Sequence, residues 1–399
     1  MAQSASTRRS SLLLALGSVA YLALMFVWFS LPAFLLPITA DLSLTTAQAG
    51  FLTGAIPLSY IPLSVASGVI VDRIGPRRSV GIALLIFGVA QIARGYATDF
   101  WSMLLPTLLL GVGGTGITFG LPKLISAIYP AERVGSASSV YMIGSYLGVA
   151  TAFSLGRGVL GPVLGGWRPV FLWGGVAAFA FGGCWFLVTL RVAGDGLDAP
   201  PESERTAAGT NVRAVLTTPG MVSVIVIGTM YLLILHGIQG WLATVLESRG
   251  VAPAMAATIT SGMVGAQILG ALAIPLVVSR TSYRAIVLGC GVLATAGTLG
   301  LWLPGLGGSV AVVGSVVVGI AVGALSPLVR AIPVELDGVG PELTGTAVGL
   351  VFTVGEIGGF LGPFLIGSLE TATGSFAHGL ALLTVGSLVI LGAGATLST

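Results

Sequence analysis

The stretch GVIVDRIGPRRS, residues 68–79, places four charged side chains between two long apolar runs. Charged residues make up 8% of this 399-residue chain, whereas a soluble domain usually carries about 25%. Apolar runs of about 18 residues or more can cross the hydrocarbon core of a bilayer as helices. A short charged turn between two such runs is typical of a loop at a membrane face. The sequence therefore predicts an all-α membrane protein. Its net charge of +3 indicates topology rather than a nucleic-acid partner.

Charges, prolines and glycines divide the chain into twelve apolar spans. The first apolar run is longer than the hydrophobic region of a cleaved signal sequence, so we interpret it as a retained helix. A polar stretch rich in Asp, Glu, Pro, Gly and Thr predicts a linker at 191–218 between six-helix bundles at 1–190 and 219–399. The predicted spans are 11–37, 47–71, 79–97, 101–128, 137–161, 169–190, 219–246, 254–278, 285–303, 309–332, 343–369 and 376–397.

Arginines in the loops and at the ends of the spans fall mostly on the side of the N-terminus, and the opposite side holds Arg94, Arg168 and Arg249. Because basic loops stay in the cytoplasm, we expect both termini and the linker to be cytoplasmic. The halves also repeat each other: FGLPKLISAIYPAERVGSASSVY joins spans four and five, and ALSPLVRAIPVELDGVGPELTGTAVGL joins spans ten and eleven. A duplicated bundle is typical of secondary transporters and predicts twelve helices in two pseudo-symmetric halves.

The charged stretch at 68–79 resembles the signature of the major facilitator superfamily, G-x-x-x-D-R-x-G-x-R-[RK]. The resemblance extends to the twelve-span plan and so covers nearly the whole chain. It implies two bundles around a central cavity that opens alternately to each side. It also implies that the signature latches the gate on the cytoplasmic face. The matching residues are Gly68, Asp72, Arg73, Gly75, Arg77 and Arg78.

Two further motifs bear on the substrate. The LPK…YP…G run loosely resembles the cyanate- and nitrate-porter branch, but Ser64 stands where nitrate porters carry a substrate arginine, which disfavours nitrate. Residues 158–167 resemble the Gly-Pro motif of exporters near the outer end of span five. Arg157 occupies a position that is usually glycine, and a packing seam of small residues would give the same pattern. The matching residues are Gly161, Pro162, Gly165 and Gly166.

Glu356 is the acidic residue that falls in the middle of a span, in FTVGEIGGFLGP. An ionised Glu at a helix centre costs roughly 2.5–3.5 kcal/mol on insertion scales, so such residues are usually functional or paired. Glu356 is therefore the candidate for proton coupling. The structural alternative is a protonated Glu that is hydrogen-bonded to a backbone carbonyl beside the glycines.

Other polar and aromatic side chains inside the spans are candidates for the substrate cavity. Lys123, the single lysine of the sequence, lies in span four, and Arg330 lies near the repeat-equivalent position in span ten. Two cations at these positions would favour an anionic substrate. Both could instead reach to the cytoplasmic interface. His236 could equally be an interhelical hydrogen-bond partner. The remaining cavity candidates are Trp28, Tyr231 and Gln239.

The sequence contains no phosphate-binding loop, no metal-spaced His or Cys cluster and no nucleophile–base constellation, which argues against an enzyme and against a cofactor. We therefore expect a secondary active transporter of a small solute, coupled to protons and favouring a small anion. The alternative is a proton/drug antiporter, and a multi-pass membrane enzyme or receptor is more remote. The expected partners are a small-molecule substrate, a proton and the lipid bilayer, without nucleic acid. The expected state is a monomer that crosses a prokaryotic plasma membrane many times.

Overall fold

The computed structural model describes residues 2–192, 208–303 and 308–397. These residues form helices without strands, which confirms the all-α prediction. Most of the predicted linker at 191–218 lies outside the described residues, although its last part forms a helix. The helices are α1 (Ala2–Ala33), α2 (Leu35–Asp41), α3 (Thr46–Ile74), α4 (Pro76–Gly95), α5 (Phe100–Ile128), α6 (Ala131–Thr151), a π-helix (Ala152–Leu160), α7 (Gly161–Leu164), α8 (Trp167–Val192), α9 (Ala208–Leu216), α10 (Met221–Ser248), α11 (Pro253–Val278), α12 (Tyr283–Trp302), α13 (Gly308–Glu335), α14 (Pro341–Thr373) and α15 (Phe376–Ala395).

Within the described ranges, 11 helices are long and apolar enough to cross a membrane. The number rises to 12 when the bent pair Thr46–Ser64 and Ala66–Ile74 within α3 counts as one span. The fifth predicted span lies in one helical run, Glu132–Leu164, which contains a π-helical segment between α6 and α7. The predicted set of membrane-spanning helices is thus confirmed, with local breaks that hydropathy alone does not show.

The chain divides into two compact units. Unit 1 comprises Met1–Ser43 and Pro62–Ser203, and unit 2 comprises Leu44–Ile61 and Glu204–Thr399. The first part of α3 therefore belongs to unit 2, although it lies early in the chain.

Glycines let the helices of unit 1 approach closely. A methyl group on Gly88 of α4 would lie 2.7 Å from Phe179 N on α8. On the other side of α4, a methyl group on Gly116 of α5 would lie 3.1 Å from Ser79 O. In lipid, where apolar surface gives little drive for association, such small residues allow the backbone contacts that hold helices together.

Unit 2 uses the same device between α10 and α14. A methyl group on Gly358 would overlap Thr229 O, and one on Gly362 would overlap Leu233 O. The segment Leu44–Ile61 packs on α14 in a similar way, since a methyl group on Gly50 would lie 2.6 Å from Pro363 O. These contacts fix the positions of the polar side chains on α10 and α14.

Candidate functional site

The signature stretch of unit 1 forms a tight turn between α3 and α4. Gly75 has φ +89° and precedes Pro76, the first residue of α4. A residue with a side chain would be strained at this positive φ, and proline fits the first helical position because its missing N–H is not needed there. The backbone of the turn therefore requires glycine at position 75 and accommodates proline at position 76.

Asp72 of the signature forms an ion pair with Lys123, the single lysine of the sequence. Lys123 Nζ on α5 donates to Asp72 Oδ1 and, at 3.2 Å, to Gly68 O on α3. Both charged side chains are about two-fifths exposed, so solvent screens the pair and its contribution to stability is small. In this structure Lys123, a predicted cavity residue, lies against the predicted gating signature.

The signature arginines have different environments. Arg77 is 6% exposed and its Nη1 donates to Thr189 O of α8 at 3.4 Å. Trp185 Nε1 donates to Arg77 O at 2.9 Å, which ties the same two helices again. Arg73 and Arg78 are exposed. The signature thus contains one packing arginine beside two surface ones.

A buried cation, Arg94, lies at the other end of α4. The sequence assigns it to the non-cytoplasmic side and does not show that it is buried. Arg94 is fully buried, and its Nη1 donates to Gln91 Oε1 at 3.0 Å and to Val27 O at 3.2 Å. Gln91 Nε2 donates to Ser30 Oγ at 2.9 Å, and the guanidinium lies 5.0 Å from the centre of the Phe171 ring. Gln91, one turn earlier on the same face of α4, is the sequence feature that could have indicated a buried hydrogen-bond partner for Arg94.

Trp28 of α1 is buried and stacks on Phe29, with ring centres 5.8 Å apart. Pro32 lies within α1, and the helix ends at Ala33 before α2 begins at Leu35. The predicted cavity residue therefore sits shortly before a break in the first span.

The exporter-like motif of span five coincides with unusual backbone. Arg157 lies in the π-helix, with its guanidinium 5.5 Å from the centre of the Phe34 ring. Gly161 packs on the same ring, because a methyl group there would lie 2.9 Å from Phe34 Cε1. Pro162 lies in the first turn of the short α7, and Gly165 and Gly166 follow this helix with positive φ. Single-turn π segments often mark functional sites in helices.

The polar residues of α10 are buried in unit 2. Tyr231, His236 and Gln239 are 4%, 9% and 4% exposed. Gln239 Nε2 donates to Gln267 Oε1 of α11 at 2.9 Å. Gln267 was not singled out in the sequence. Its Nε2 atom is buried and has no hydrogen-bond partner in the described part of the chain.

Glu356 lies on α14, and its Oε2 atom is sealed from solvent. Among residues 2–192, 208–303 and 308–397, no group donates a hydrogen bond to this atom.

Arg330 of α13 is exposed. Its Nη1 atom donates to Ser326 O at 2.8 Å and to Ser326 Oγ at 3.0 Å. Its guanidinium lies 4.6 Å from the centre of the Phe352 ring on α14.

The described residues contain no cluster of three or more His, Cys, Asp or Glu side chains arranged as metal ligands. The polar groups in the two units are suited to hydrogen bonding, charge pairing and proton exchange.

Comparisons with known proteins agree with this architecture. The family model of the Major Facilitator Superfamily matches residues 16–363. The chain is 28% identical over 342 residues to the 3-(3-hydroxy-phenyl)propionate transporter of Escherichia coli (strain K12), covering 82% of this chain and 79% of that protein. It is 26% identical over 360 residues to the uncharacterized transporter YycB of Bacillus subtilis (strain 168), covering 89% and 85%.

A crystal structure of a bacterial homologue of the human lysosomal transporter Spinster has a similar fold. Its TM-score is 0.77 at 19% sequence identity, over 97% of this chain and 96% of that one. The similarity to transporters indicates a membrane transporter of small solutes rather than an enzyme, in keeping with a prokaryotic plasma membrane. The chain belongs to the Major Facilitator Superfamily.

Proposed function

We propose that the chain is a secondary active transporter that couples a small solute to a proton by alternating access, with Glu356 as the proton carrier. The observation that carries this proposal is the sealed Oε2 atom of Glu356, which has no hydrogen-bond partner among the described residues.

An ionised carboxylate is strongly disfavoured where water and donors are absent. We infer that Glu356 is neutral in the conformation described here, because its Oε2 atom meets neither solvent nor a donor among the described residues. Ionisation requires a conformation in which water or a donor reaches the carboxylate. A group that is protonated in one conformation and ionised in another links proton movement to the conformational cycle.

The preference for an anion remains part of the proposal. Arg330 and Lys123 supply positive charge, and the E. coli relative is named for a propionate. The two cations differ in their surroundings, because Lys123 is already engaged with Asp72. Arg330 is therefore the stronger of the two candidates for contact with an anion.

We also propose that both termini and residues 191–218 face the cytoplasm and that the protein works as a monomer. The concentration of arginines in the loops and at the ends of the spans on one side supports this orientation.

Transport by purified protein in liposomes tests the function. A thermal-shift screen of 3-(3-hydroxyphenyl)propionate, tartrate and nitrate against lipophilic cations first identifies a ligand. An imposed proton gradient should then drive its accumulation by the wild type and by a Glu370→Gln control on the same helix. Glu356→Gln should bind the solute but not accumulate it. Accumulation by this variant equal to that of the wild type would exclude Glu356 as the carrier.

A proton/drug antiporter is the second candidate, favoured by the π-helix Ala152–Leu160, which overlaps the start of the exporter-like motif at 158–167. A larger thermal shift with lipophilic cations than with the anions would select it.

A further inference from the structure

The packing of α10 on α14 brings two titratable groups of unit 2 together. Gly355, Gly358 and Gly362 line the face of α14 that touches α10. A methyl group on Gly355 would lie 2.9 Å from Leu232 Cδ1, and those on the other two would overlap carbonyl oxygens of α10. Side chains next to this seam therefore reach across it easily.

The side chains of Glu356 and His236 approach each other beside Gly359. A methyl group on Gly359 would lie 2.7 Å from Glu356 Oε2, 3.3 Å from His236 Cδ2 and 3.2 Å from Pro57 Cβ, which are the three nearest atoms. The carboxyl group and the imidazole thus border one small space that exists because residue 359 has no side chain. Pro57, from the segment Leu44–Ile61, closes the same space.

We propose that His236 and Glu356 form a single proton-exchange site, in which the transported proton passes between the imidazole and the carboxyl group. This inference rests on the proposed role of Glu356. In the transfer, the O–H bond of the acid breaks and an N–H bond forms on the imidazole, so the pair stays neutral overall. Release of one proton to water then leaves a carboxylate and a neutral imidazole, with a net charge of −1. The sealed Oε2 atom of Glu356 favours the neutral state of the pair over the state with a net charge of −1.

Other charged or titratable side chains lie on the helices around the His236–Glu356 pair, but none of them supplies one of the three atoms nearest to a methyl group on Gly359. Helices α9, α10, α13 and α15 and the segment Leu44–Ile61 pack against α14. In the described part of these elements, the other titratable or charged side chains are Tyr60, Arg213, Tyr231, Glu247, Arg330, Glu335 and His378; α14 itself adds Glu342 and Glu370.

Nuclear magnetic resonance of the whole protein can test the pair without a substrate. The chain contains 2 histidines, so protein labelled with ¹⁵N-histidine gives the imidazole signals of His236 and His378. A His378→Asn variant assigns them. Because two sites that share a proton titrate as a unit, Glu356→Gln should move the pH midpoint of the His236 signal by about one unit or more.

A steric variant tests the same geometry without removing either group. Gly359→Ala should push the flexible Glu356 carboxyl group away and move the His236 midpoint in the same sense as Glu356→Gln. Two matched control variants on α14 should leave the pH midpoint of the His236 signal unchanged. They are Glu370→Gln and Gly349→Ala, since a methyl group on Gly349 meets nothing within 4 Å.

The outcomes separate this inference from the proposed function. An unmoved His236 midpoint in Glu356→Gln overturns the shared site, even where the same variant loses proton-driven accumulation. A moved midpoint in both test variants supports the shared site. If Glu356→Gln then still accumulates solute, the pair exists but the proposed role of Glu356 in coupling fails.

Discussion

Unit 1 and unit 2 each bury a polar group that lacks part of its hydrogen bonding, but the first is a permanent cation and the second is an acid that can release or take up a proton. In unit 1 the group is Arg94, whose Nε and Nη2 have no partner among the described residues. In unit 2 the group is Glu356, whose Oε2 atom also has no hydrogen-bond partner among the described residues. The first side chain is fully buried within its unit, and the second lies in a space shared by α10, α14 and the segment Leu44–Ile61.

The difference lies in what each group can exchange. An arginine keeps its proton in proteins, and Arg94 is fixed by Gln91, Val27 O and the Phe171 ring. A glutamate can gain or lose a proton, and Glu356 has a histidine close by. In the proposed mechanism, unit 1 therefore holds a fixed charge and unit 2 holds an exchangeable one.

The largest effect on stability is expected where the fixed charge loses its partner. Gln91→Leu removes the hydrogen bond from Arg94 to Gln91 Oε1 but leaves Val27 O and the Phe171 ring in place. It should lower the free energy of unfolding by about 2–3 kcal/mol, as for hydrogen bonds to charged groups. Adding Arg94→Met should restore part of this loss, because the unpaired charge is then gone. Denaturation in detergent measures both. A double variant less stable than Gln91→Leu would show that Arg94 is not the group that Gln91 holds.

The glycine seam of unit 2 should be the next most sensitive. Gly358→Ala places a methyl group against the backbone oxygen of Thr229, which cannot move without shifting α10. Overpacking of this kind costs about 1–3 kcal/mol. Gly349→Ala, in open space on the same helix, should have little effect. Equal melting temperatures for the two variants would mean that the seam is looser than described.

Anion affinity should respond more to unit 2 than to unit 1. We expect Arg330→Gln to weaken binding of an anionic solute about tenfold, or about 1.4 kcal/mol. Lys123→Gln should weaken it less, because Lys123 Nζ already binds Asp72. Calorimetry with the ligand from the thermal-shift screen measures both affinities. The reverse order would assign the anion to unit 1.

The smallest effect concerns a helix cap of unit 1 that has no counterpart at the start of α14. Asp99 caps α5, and the hydrogen bond from Ser102 N lowers the pKa of its carboxyl group, whereas Gly340 precedes α14 without a side-chain cap. A lowered pKa stabilises the fold at neutral pH, and this contribution is lost as the pH falls through that value.

Asp99→Asn should therefore melt slightly below the wild type at neutral pH and converge with it in acid. Thermal melts across pH check this. A difference that grows on acidification would contradict the cap.

Much of the architecture could be predicted from the sequence. Apolar length gave the spans, and Gly75-Pro76 gave the turn, because local backbone chemistry dictates both. The side-chain partnerships could not be predicted. Nothing in the local sequence aims Lys123 at Asp72 or buries Arg94 beneath Phe171, since these contacts depend on which helix faces meet. The membership of Leu44–Ile61 in unit 2 also arises from packing distant in sequence.

One transport assay tests the contrast between fixed and exchangeable charge most directly. Glu356→Gln and Arg94→Met are compared with the wild type for proton-driven accumulation and for exchange of labelled against unlabelled solute. The account predicts that Glu356→Gln keeps exchange and loses accumulation, because the solute path remains while the proton cannot be carried. Arg94→Met should lose both activities together, in proportion to any loss of folded protein. Accumulation by Glu356→Gln, or a selective loss of accumulation in Arg94→Met, would contradict the account.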